Sequence, residues 1–485
     1  MTKQTIAKTD NHEYERKERN MARNKDLGAT AEFKIKRQNK TGLKLWQKII
    51  IGISATILTL VVIAILALGI TLWYWQNHDV GDTIDEGDTE SELLLPPPDV
   101  DSETDETDDD VPSYTRKKET YTFLILGSDR AKWLTDVIMI ATYDTVNQKF
   151  ALMQIPRDTY VMVSSKLYLD DDGNITYDNF DGNGDYGCKI NSVVWHGGSL
   201  AGKELTRIAT LARDTEKDSE LKKICEDSFL NLTSDELESY INSNGKEKNN
   251  LEYNIKLKFG IKYLTALLAR SFGTPVDFYA QLNLDGFVNI VNAIGGVDVY
   301  IQEDMDYEDV LQNPPLKIHL KKGMQHLDGK KAEQFIRFRY GYAAADIARI
   351  DAQKIFMTAF IKKVFSLEGI ANIDKLIAEI TSNLTTNLSI SDIGFFATQA
   401  FELDFENIVM LTLPGWSLYV DGVSYYTVDK EVMISDINTH LNKYTEPLTE
   451  EYFCAIEAGP GTSYTTPPLT AEEIQNEQPD LGFMY

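Results

Sequence analysis

Two aspartates stand at the ends of short apolar runs that have the composition of β-strands. Asp129 follows the run Tyr121–Leu126, and Asp136 comes directly before the run Val137–Tyr143. If these strands are neighbours, the two carboxylates converge at one edge of a sheet. Mg²⁺ in proteins takes one or two carboxylates together with phosphate oxygens of the substrate. The pair therefore predicts a Mg²⁺ site, while the sequence does not decide which aspartate ligates the metal and which accepts a proton.

A second set of polar residues has the chemistry to hold a diphosphate. It comprises Arg157 and Asp158 after the third apolar run, Arg337 and Arg339 in RFRY, and Asp346, Arg349 and Gln353 in DIARIDAQ. Alternation along a strand would place Arg337 and Arg339 on one face, and spacings of three and four place the last three residues on one helix face. Guanidinium groups bind phosphate oxygens bidentately and stay charged. Four arginines near two carboxylates therefore predict a clamp for a diphosphate through a metal.

The elements that would position these residues alternate between strands and helices. After the three N-terminal strands, the apolar spacing predicts helices over residues 255–272, 284–293, 328–335 and 347–365, with strands at 276–282 and 297–301 between them. The predicted fold is α/β, with a central mixed β-sheet flanked by helices. We assign residues 113–365 to the predicted catalytic domain, 366–458 to a C-terminal part of the same domain and 459–485 to a flexible tail.

A long apolar segment precedes this domain. Residues 49–72 carry no charge, and a helix of that length is about 36 Å long, enough to cross roughly 30 Å of hydrocarbon. We therefore predict one transmembrane helix over residues 49–75. Residues 1–48 are basic, which by the positive-inside rule places this tail in the cytoplasm and the rest of the chain outside. The expected location is the cell membrane, as a single-pass protein in contact with membrane lipid.

The net charge of -27 excludes nucleic acid as an expected partner, because binding a phosphate backbone requires clustered cations. Much of the negative charge lies in residues 79–110, where acidic residues are dense and Lys and Arg are absent. Such a segment cannot bury enough apolar surface to fold. Residues 76–112 are therefore predicted to be an acidic extracytoplasmic linker.

Several other polar residues are interpreted as structural. His196 precedes two glycines and is interpreted as a turn residue that caps a helix rather than as a base. The sequence contains three cysteines, Cys188, Cys225 and Cys454, which are far apart and lack metal-binding spacing. One disulfide among them is conceivable, and the sequence does not decide whether any two pair.

A loop rich in Asp, Asn and Gly could be read as a calcium site. Asp181, Asn183 and Asp185 have the first three spacings of an EF-hand loop. The sixth position is Tyr186 rather than Gly, and the twelfth is Ser192 rather than Glu. A polar hairpin is therefore favoured over a calcium site.

An ordered set of motifs resembles the LytR-CpsA-Psr (LCP) family of extracytoplasmic enzymes. In chain order they are FLILGSDR, TDVIMI, ALMQIPRDTYV, KINSVVWHGG, DGFVNIVNAIGGVDVYI, LDGKKAEQFIRFRY and DIARIDAQK. The resemblance implies an LCP-type α/β domain with Mg²⁺ as cofactor. It implies a phosphotransferase that moves a glycopolymer, teichoic acid or capsule-like, from undecaprenyl diphosphate to peptidoglycan, with the prenyl chain in an apolar pocket.

The resemblance also implies roles for individual residues. Asp129 and Asp136 correspond to the metal and diphosphate carboxylates, and the diphosphate-binding set corresponds to Arg157, Arg337, Arg339, Arg349 and Gln353; Asp129, Asp136 and Arg157 are the expected catalytic residues. The chain departs from the family at Ala352, where a second arginine often precedes the glutamine. It also carries an insertion over residues 199–254, which could be a lid, a partner surface or, as the simplest reading, a loop without a role.

Two other functions use the same sequence features. A prenyl-diphosphate pyrophosphatase would keep the site and use water in place of a glycan hydroxyl. A membrane-bound transcriptional attenuator of cell-envelope genes would need a DNA-binding head, for which residues 1–48 are too short. The sequence does not tell which glycopolymer is moved.

Overall fold

The structure, a computed structural model, describes most of the chain after residue 114. The described residues are 115–129, 133–164, 185–213, 217–311, 315–338, 345–364, 366, 373–400, 402–420, 422–455, 457, 462–463, 469–470 and 473–474. The predicted cytoplasmic tail, transmembrane helix and acidic linker lie outside these residues. Within the described ranges, no helix has both the length and the apolar character that a membrane span requires.

The described chain alternates between strands and helices. The strands are β1 (Thr120–Ser128), β2 (Thr135–Asp144), β3 (Lys149–Ile155), β4 (Tyr160–Ser164), β5 (Asp185–Lys189), β6 (Phe278–Asn283), β7 (Val297–Ile301), β8 (Met305–Asp309), β9 (Leu316–Leu320), β10 (Gly323–Leu327), β11 (Leu384–Thr386), β12 (Ile408–Thr412), β13 (Gly415–Val420), β14 (Val423–Val428), β15 (Thr462–Ser463) and β16 (Leu469–Thr470). The helices are α1 (Val193–Ala212), α2 (Asp218–Glu226), α3 (Ser234–Asn242), α4 (Gly245–Phe272), α5 (Leu284–Ala293), α6 (Gly329–Arg337), α7 (Ala345–Val364), α8 (Ile373–Asn383), α9 (Ile390–Ala400) and α10 (Lys430–Asp436).

Seven strands form the central sheet, in the order β11-β6-β1-β2-β3-β12-β16. The β1–β2 and β2–β3 pairs are antiparallel, whereas β1–β6 and β3–β12 are parallel. The sheet is therefore mixed, and the predicted fold class, a central mixed sheet flanked by helices, is confirmed for the described domain.

Both faces of the sheet are buried, which explains the continuous apolar runs in the sequence. Along β2, Ile138 and Ile140 face one hydrophobic cluster, and Met139 and Ala141 face another. The first cluster includes side chains of α1 and α4, and the second includes side chains of α5, α6 and α7. Successive strand residues point to opposite faces, so a strand covered on both sides needs apolar residues at every position.

The region after residue 366 completes the same sheet. β12 lies parallel to β3 and brings residues 408–412 into the centre of the domain. Two segments of the predicted flexible tail also pair with strands, since Thr462–Ser463 pairs with β13 and Leu469–Thr470 pairs with β12. These two segments are therefore parts of the domain's sheets.

The insertion over residues 199–254 is helical where the structure describes it. It continues α1, contains α2 and α3, and includes the start of the 28-residue helix α4. Its apolar residues form a small core of their own, whose members are Leu205, Ile208, Ala209, Ala212, Leu221, Cys225, Leu237 and Tyr240. The expectation of a loop is therefore wrong for the described residues, because they form helices that bury a separate small core.

The predicted turn at His196–Gly198 is also wrong, because these residues lie in the first turns of α1. The glycines serve helix packing instead. A Cβ on Gly197 would lie 2.6 Å from Tyr263 Cβ, and a Cβ on Gly260 would lie 2.2 Å from the Val194 carbonyl oxygen. Small residues therefore let α1 and α4 approach closely.

Candidate active site

A β-bulge places Asp136 at the edge of the β1–β2 pair. Gly127 pairs with Val137 and Ser128 pairs with Thr135, so Asp136 is the extra residue on β2. Bulges bend a strand and redirect a side chain, and they are common beside active sites. The Asp136 side chain is 45% exposed. The bulge thus directs a carboxylate out of a strand that is otherwise buried.

Asp129 lies beside this bulge, on the loop that joins β1 to β2. Its N–H donates to the Leu134 carbonyl at 3.1 Å. Its Oδ1 accepts from the N–H groups of Trp133 at 3.0 Å and Leu134 at 3.4 Å. The Trp133 ring packs edge-on against Tyr253 of α4 at 5.2 Å. Burial, with the charge of Asp129 as a smaller cause, raises the pKa of Tyr253 to about 12.

Arg157 joins the end of β3 to the bulge. Its Nη1 donates to Asp136 Oδ1 at 2.6 Å, and its Nε lies 3.8 Å from Asp158 Oδ1. Asp158 also receives Lys189 Nζ at 3.0 Å. The structure therefore brings Arg157 into contact with Asp136, while Asp129 lies on the loop beside the same bulge.

The turn that carries Arg157 is held by the segment before α1. Asn191 N–H donates to the Arg157 carbonyl at 3.2 Å, and Ile190 N–H donates to the Thr159 carbonyl at 2.8 Å. The Asn191 carbonyl in turn accepts from Thr135 Oγ1 at 3.2 Å. Asn191 and Lys189 both lie in the motif KINSVVWHGG, but the motif pattern alone assigns neither residue a role. One segment thus links the Arg157 turn to the bulged strand.

Arg337 is the last residue of α6, so the prediction that RFRY forms a strand is wrong at this position. The helix begins at an Asp328 N-cap, whose side chain accepts from Lys331 N–H, and it continues through Arg337. Arg337 Nη1 donates to Glu333 Oε1 at 3.0 Å, one helical turn earlier. Glu333 is 8% exposed, so a buried carboxylate anchors this arginine. A cation at a helix C-terminus is also favoured by the helix dipole.

The other members of the diphosphate set lie partly outside the described structure. Arg339 falls outside the described residues, and so do the side chains of Asp346 and Arg349, although their backbone belongs to α7. Gln353 is described and is 6% exposed. Its Oε1 accepts from Nε2 of Gln154 on β3, and its Nε2 donates to the Ile336 carbonyl at 3.4 Å. Nothing in the local sequence pattern pointed to Gln154.

The Asp136 carboxylate at the bulge and the Asp129 carboxylate on the adjoining loop are oxygen ligands of the type that Mg²⁺ binds. Hydrogen bonds among the described residues reach Oδ1 of Asp129 and Oδ1 of Asp136, and Oδ2 of each is not used. In the same part of the chain, no group of three or more His, Cys, Asp or Glu side chains could hold a metal. Mg²⁺ needs only one or two carboxylates when phosphate oxygens and water complete its shell. The donor set therefore fits this ion.

His196 is buried, and both of its ring nitrogens make hydrogen bonds. Its Nε2 donates to the Ser164 carbonyl at 2.7 Å, and its Nδ1 accepts from the Tyr186 hydroxyl at 2.8 Å. Burial lowers its pKa, and the bond to Ser164 opposes this shift. With both nitrogens engaged, His196 has a structural role, as the sequence analysis held.

The Asp-rich loop and the three cysteines are the remaining features that the sequence singled out. β4 and β5 pair as an antiparallel hairpin, which confirms the hairpin predicted around the Asp-rich loop; residues 165–184 of that loop lie outside the described residues. In the part of the chain that the structure describes, Cys188, Cys225 and Cys454 form no disulfide.

Comparison with known proteins identifies a family. The model of the LytR_cpsA_psr family matches residues 98–209 and 206–443, which together are more than half of the chain. The polyisoprenyl-teichoic acid–peptidoglycan teichoic acid transferase TagV of Bacillus subtilis is 29% identical over 189 residues, 39% of this chain and 46% of TagV. The polyisoprenyl-teichoic acid–peptidoglycan teichoic acid transferase TagU of Bacillus cereus is 30% identical over 186 residues, 38% of this chain and 58% of TagU. The matched region thus spans about half the length of these relatives.

Solved structures show weaker similarity. The crystal structure of Bacillus subtilis TagV aligns with 22% identity and a TM-score of 0.44, covering 68% of this chain and 100% of that chain. The structure of TagT bound to LIIa-WTA aligns with 19% identity and a TM-score of 0.43, covering 67% and 91%. The fold described above therefore rests on the strands and helices of this chain alone.

Proposed function

The chain belongs to the LytR-CpsA-Psr family, and from this premise we propose that it is a membrane-anchored extracytoplasmic phosphotransferase. It moves a glycopolymer, teichoic acid or capsule-like, from undecaprenyl diphosphate to peptidoglycan. The names of the relatives, teichoic acid transferases that act on peptidoglycan, support this reaction class. The observation that carries the proposal is the contact between Arg157 and Asp136 at the bulge, with Asp129 on the adjoining loop.

The reaction requires that the reacting groups be positioned and that negative charge be stabilised. A hydroxyl oxygen of the wall glycan attacks the polymer-side phosphorus, and the bond from that phosphorus to the lipid phosphate oxygen breaks. The proton of the attacking hydroxyl passes to a carboxylate, Asp129 or Asp136, and undecaprenyl phosphate departs. Negative charge on the phosphoryl oxygens is the main feature that the enzyme must stabilise.

Arg157 is placed to meet this charge while it stays anchored. A guanidinium has five N–H donors in a planar fork, so Arg157 can bind Asp136 through Nη1 and a phosphate oxygen through another N–H. The contact with Asp136 limits rotation of the fork before substrate arrives. Preorganised donors of this kind need no reorganisation during the reaction.

Arg337 contributes a second anchored cation. Its bond to the buried Glu333 fixes one side of the guanidinium at the end of α6. Arg339, Arg349 and Gln353 complete the proposed diphosphate-binding set. This set is drawn from the ends of α6 and β3 and from α7, so substrate binding depends on how these three elements pack.

Mg²⁺ is the proposed cofactor, and Asp129 and Asp136 would hold it. When bound, it would supply positive charge at the diphosphate oxygens. The proposed location is the cell membrane, with residues 49–75 as the single span, residues 1–48 in the cytoplasm and the catalytic domain outside.

The proposal is tested by transfer assays with the full-length protein in detergent, with lipid-linked glycopolymer as donor and peptidoglycan as acceptor. We expect polymer to become covalently bound to peptidoglycan, and Arg337→Ala to lower this rate strongly. Arg207→Ala is the matched control, because Arg207 pairs with Glu204 on the surface of α1. An Arg337→Ala variant with the wild-type rate would contradict the site. Release of lipid phosphate without acceptor, and no transfer with it, would identify a hydrolase instead.

A further inference from the structure

Two buried glutamine side chains meet beside the candidate diphosphate site. Gln154 lies on β3 and is 2% exposed, and Gln353 lies on α7 and is 6% exposed. Gln154 Nε2 donates a hydrogen bond to Gln353 Oε1. Their surroundings are apolar, since Leu152 on the same face of β3 and Met410 on β12 belong to the hydrophobic cluster under α7.

This pair connects the two elements that carry the described arginines. Gln154 precedes Arg157 by three residues on the same stretch of chain. Gln353 Nε2 donates to the carbonyl of Ile336 at 3.4 Å, and Ile336 directly precedes Arg337. A chain of hydrogen bonds therefore runs from the strand that leads to Arg157, through α7, to the end of α6 that holds Arg337.

Gln154 does not favour the stability of the fold. Its Oε1 is buried and has no hydrogen-bond partner in the described part of the chain. Thr412, its register partner on β12, likewise has a buried hydroxyl that finds no partner there. A buried acceptor without a donor destabilises a fold, whereas an apolar side chain of the same shape avoids this loss. What Gln154 provides in return is the hydrogen bond to Gln353.

That hydrogen bond, together with the one from Gln353 Nε2 to the Ile336 carbonyl, fixes which way the Gln353 amide points. The terminal torsion of a glutamine is broad and nearly two-fold, so an unrestrained amide can present either its oxygen or its NH₂ group to the α6 side. Because Gln154 donates to Oε1, the NH₂ group is left facing Ile336 and the end of α6. The opposite orientation would present a carbonyl oxygen to an anionic diphosphate, which repels it.

We infer that Gln154 is a positioning residue for diphosphate binding: it holds the Gln353 amide with its N–H donors toward the arginine end of α6. The inference rests on the proposed function in that it takes the diphosphate of the lipid-linked donor as the ligand of Gln353. It assigns a role to a residue that the motif pattern does not single out.

The first test is Gln154→Met, which keeps the side-chain length and removes both polar atoms. We expect the KM for the lipid-linked donor to rise about tenfold, with kcat within about twofold, because a bond made equally in ground and transition states contributes to binding alone. The KM for peptidoglycan should not change. The midpoint of thermal unfolding should change little, because the variant removes one unpartnered buried acceptor, Gln154 Oε1, and leaves another, Gln353 Oε1, without its donor. A purely structural residue would instead lower the unfolding midpoint.

The second variant is Gln353→Met, which removes the acceptor of the same hydrogen bond. It should raise the KM of the donor at least as much as Gln154→Met does, and the double variant should be no worse than Gln353→Met alone. Thr412→Val is the matched control, because it removes a buried unpartnered hydroxyl at the neighbouring position on β12 and makes no hydrogen bond to Gln353. It should leave the KM unchanged.

A binding measurement separates this inference from the proposed function. Titration of the full-length protein with inorganic diphosphate in the presence of Mg²⁺ should give about tenfold weaker affinity for Gln154→Met than for the wild type. Wild-type affinity and KM in Gln154→Met, or additive losses in the double variant, would overturn the inference and leave the proposed function standing. Weaker diphosphate binding in a protein that transfers no polymer would support the inference and refute the proposed transferase.

Discussion

Arg157 and Asp136 form an ion pair of 2.6 Å between the end of β3 and the bulge of β2. The two side chains are 21% and 45% exposed, so substrate can reach the pair. Exposed ion pairs contribute little to the free energy of unfolding. The pair therefore matters through the position in which it holds the guanidinium.

Replacing Arg157 should reduce transfer far more than stability. We expect Arg157→Ala to lower kcat/KM by about 100-fold or more, the usual effect of removing a preorganised donor to a developing oxyanion. Arg157→Lys should recover little, because an ammonium cannot bind Asp136 and a phosphate oxygen with a planar fork. Initial rates of polymer transfer measure both effects, with Arg207→Ala as the control. Equal activity of the Lys variant and the wild type would show that the fork geometry is not needed.

Asp277 should be a major determinant of stability. Its carboxylate, 1% exposed, accepts from Arg116 at 2.9 Å, from Lys443 Nζ at 2.9 Å and from Thr122 N–H at 2.7 Å. Removing one partner of a buried ion network costs about 3–5 kcal/mol, because the remaining charges stay buried. We expect Asp277→Ala to lower the free energy of unfolding by this amount in denaturant titrations.

The matched control for Asp277 is Asp304→Ala. Asp304 pairs with Lys321 at 2.9 Å on the surface, and both side chains are exposed. This variant should unfold at the same denaturant concentration as the wild type. Similar losses in the two variants would mean that burial does not set the contribution of Asp277.

The contact between α1 and α4 should not tolerate a methyl group at Gly260. A Cβ there would lie 2.2 Å from the Val194 carbonyl oxygen, and backbone cannot give way as a side chain can. We expect Gly260→Ala to cost about 1–3 kcal/mol of unfolding free energy, as overpacking does. Gly202→Ala on α1 is the control, since its Cβ would meet only the flexible end of Lys256 at 3.2 Å. Thermal unfolding should separate the two variants, and an unaffected Gly260→Ala would refute the tight helix contact.

His196 should make the fold less stable in acid. Burial lowers its pKa below the ordinary value of 6.5, so the unfolded chain binds the proton more readily. Its contribution is therefore complete above pH 6.5 and is lost as the pH falls toward the lowered folded-state pKa. We expect the unfolding midpoint to drop between pH 7.5 and pH 5.5, and the drop to be smaller in His196→Gln. His440, whose pKa is also lowered by burial, leaves a residual drop. An unchanged slope in His196→Gln would contradict this assignment.

The sequence predicted the elements whose apolar pattern is strong and local. The strands near residues 121–126, 137–143 and 149–155 and the helices near 255–272 and 284–293 lie where the structure has them. RFRY was misassigned because alternation over four residues is too short to separate a strand from a helix end, and the preceding helix continues through Arg337. The insertion was misread because its polar composition hid a small core of eight buried residues.

The amino-acid sequence by itself determined the family, the mixed sheet and the residue types of the site, since motif order and strand and helix periods are properties of the linear chain. The tertiary structure decided which of these residues meet. The register of β1 against β2 makes Asp136 the bulged residue, and only then does its carboxylate reach Arg157. Gln154 faces Gln353 because β3 lies beneath α7. Such contacts join residues far apart in the chain, and strand register and helix packing set them.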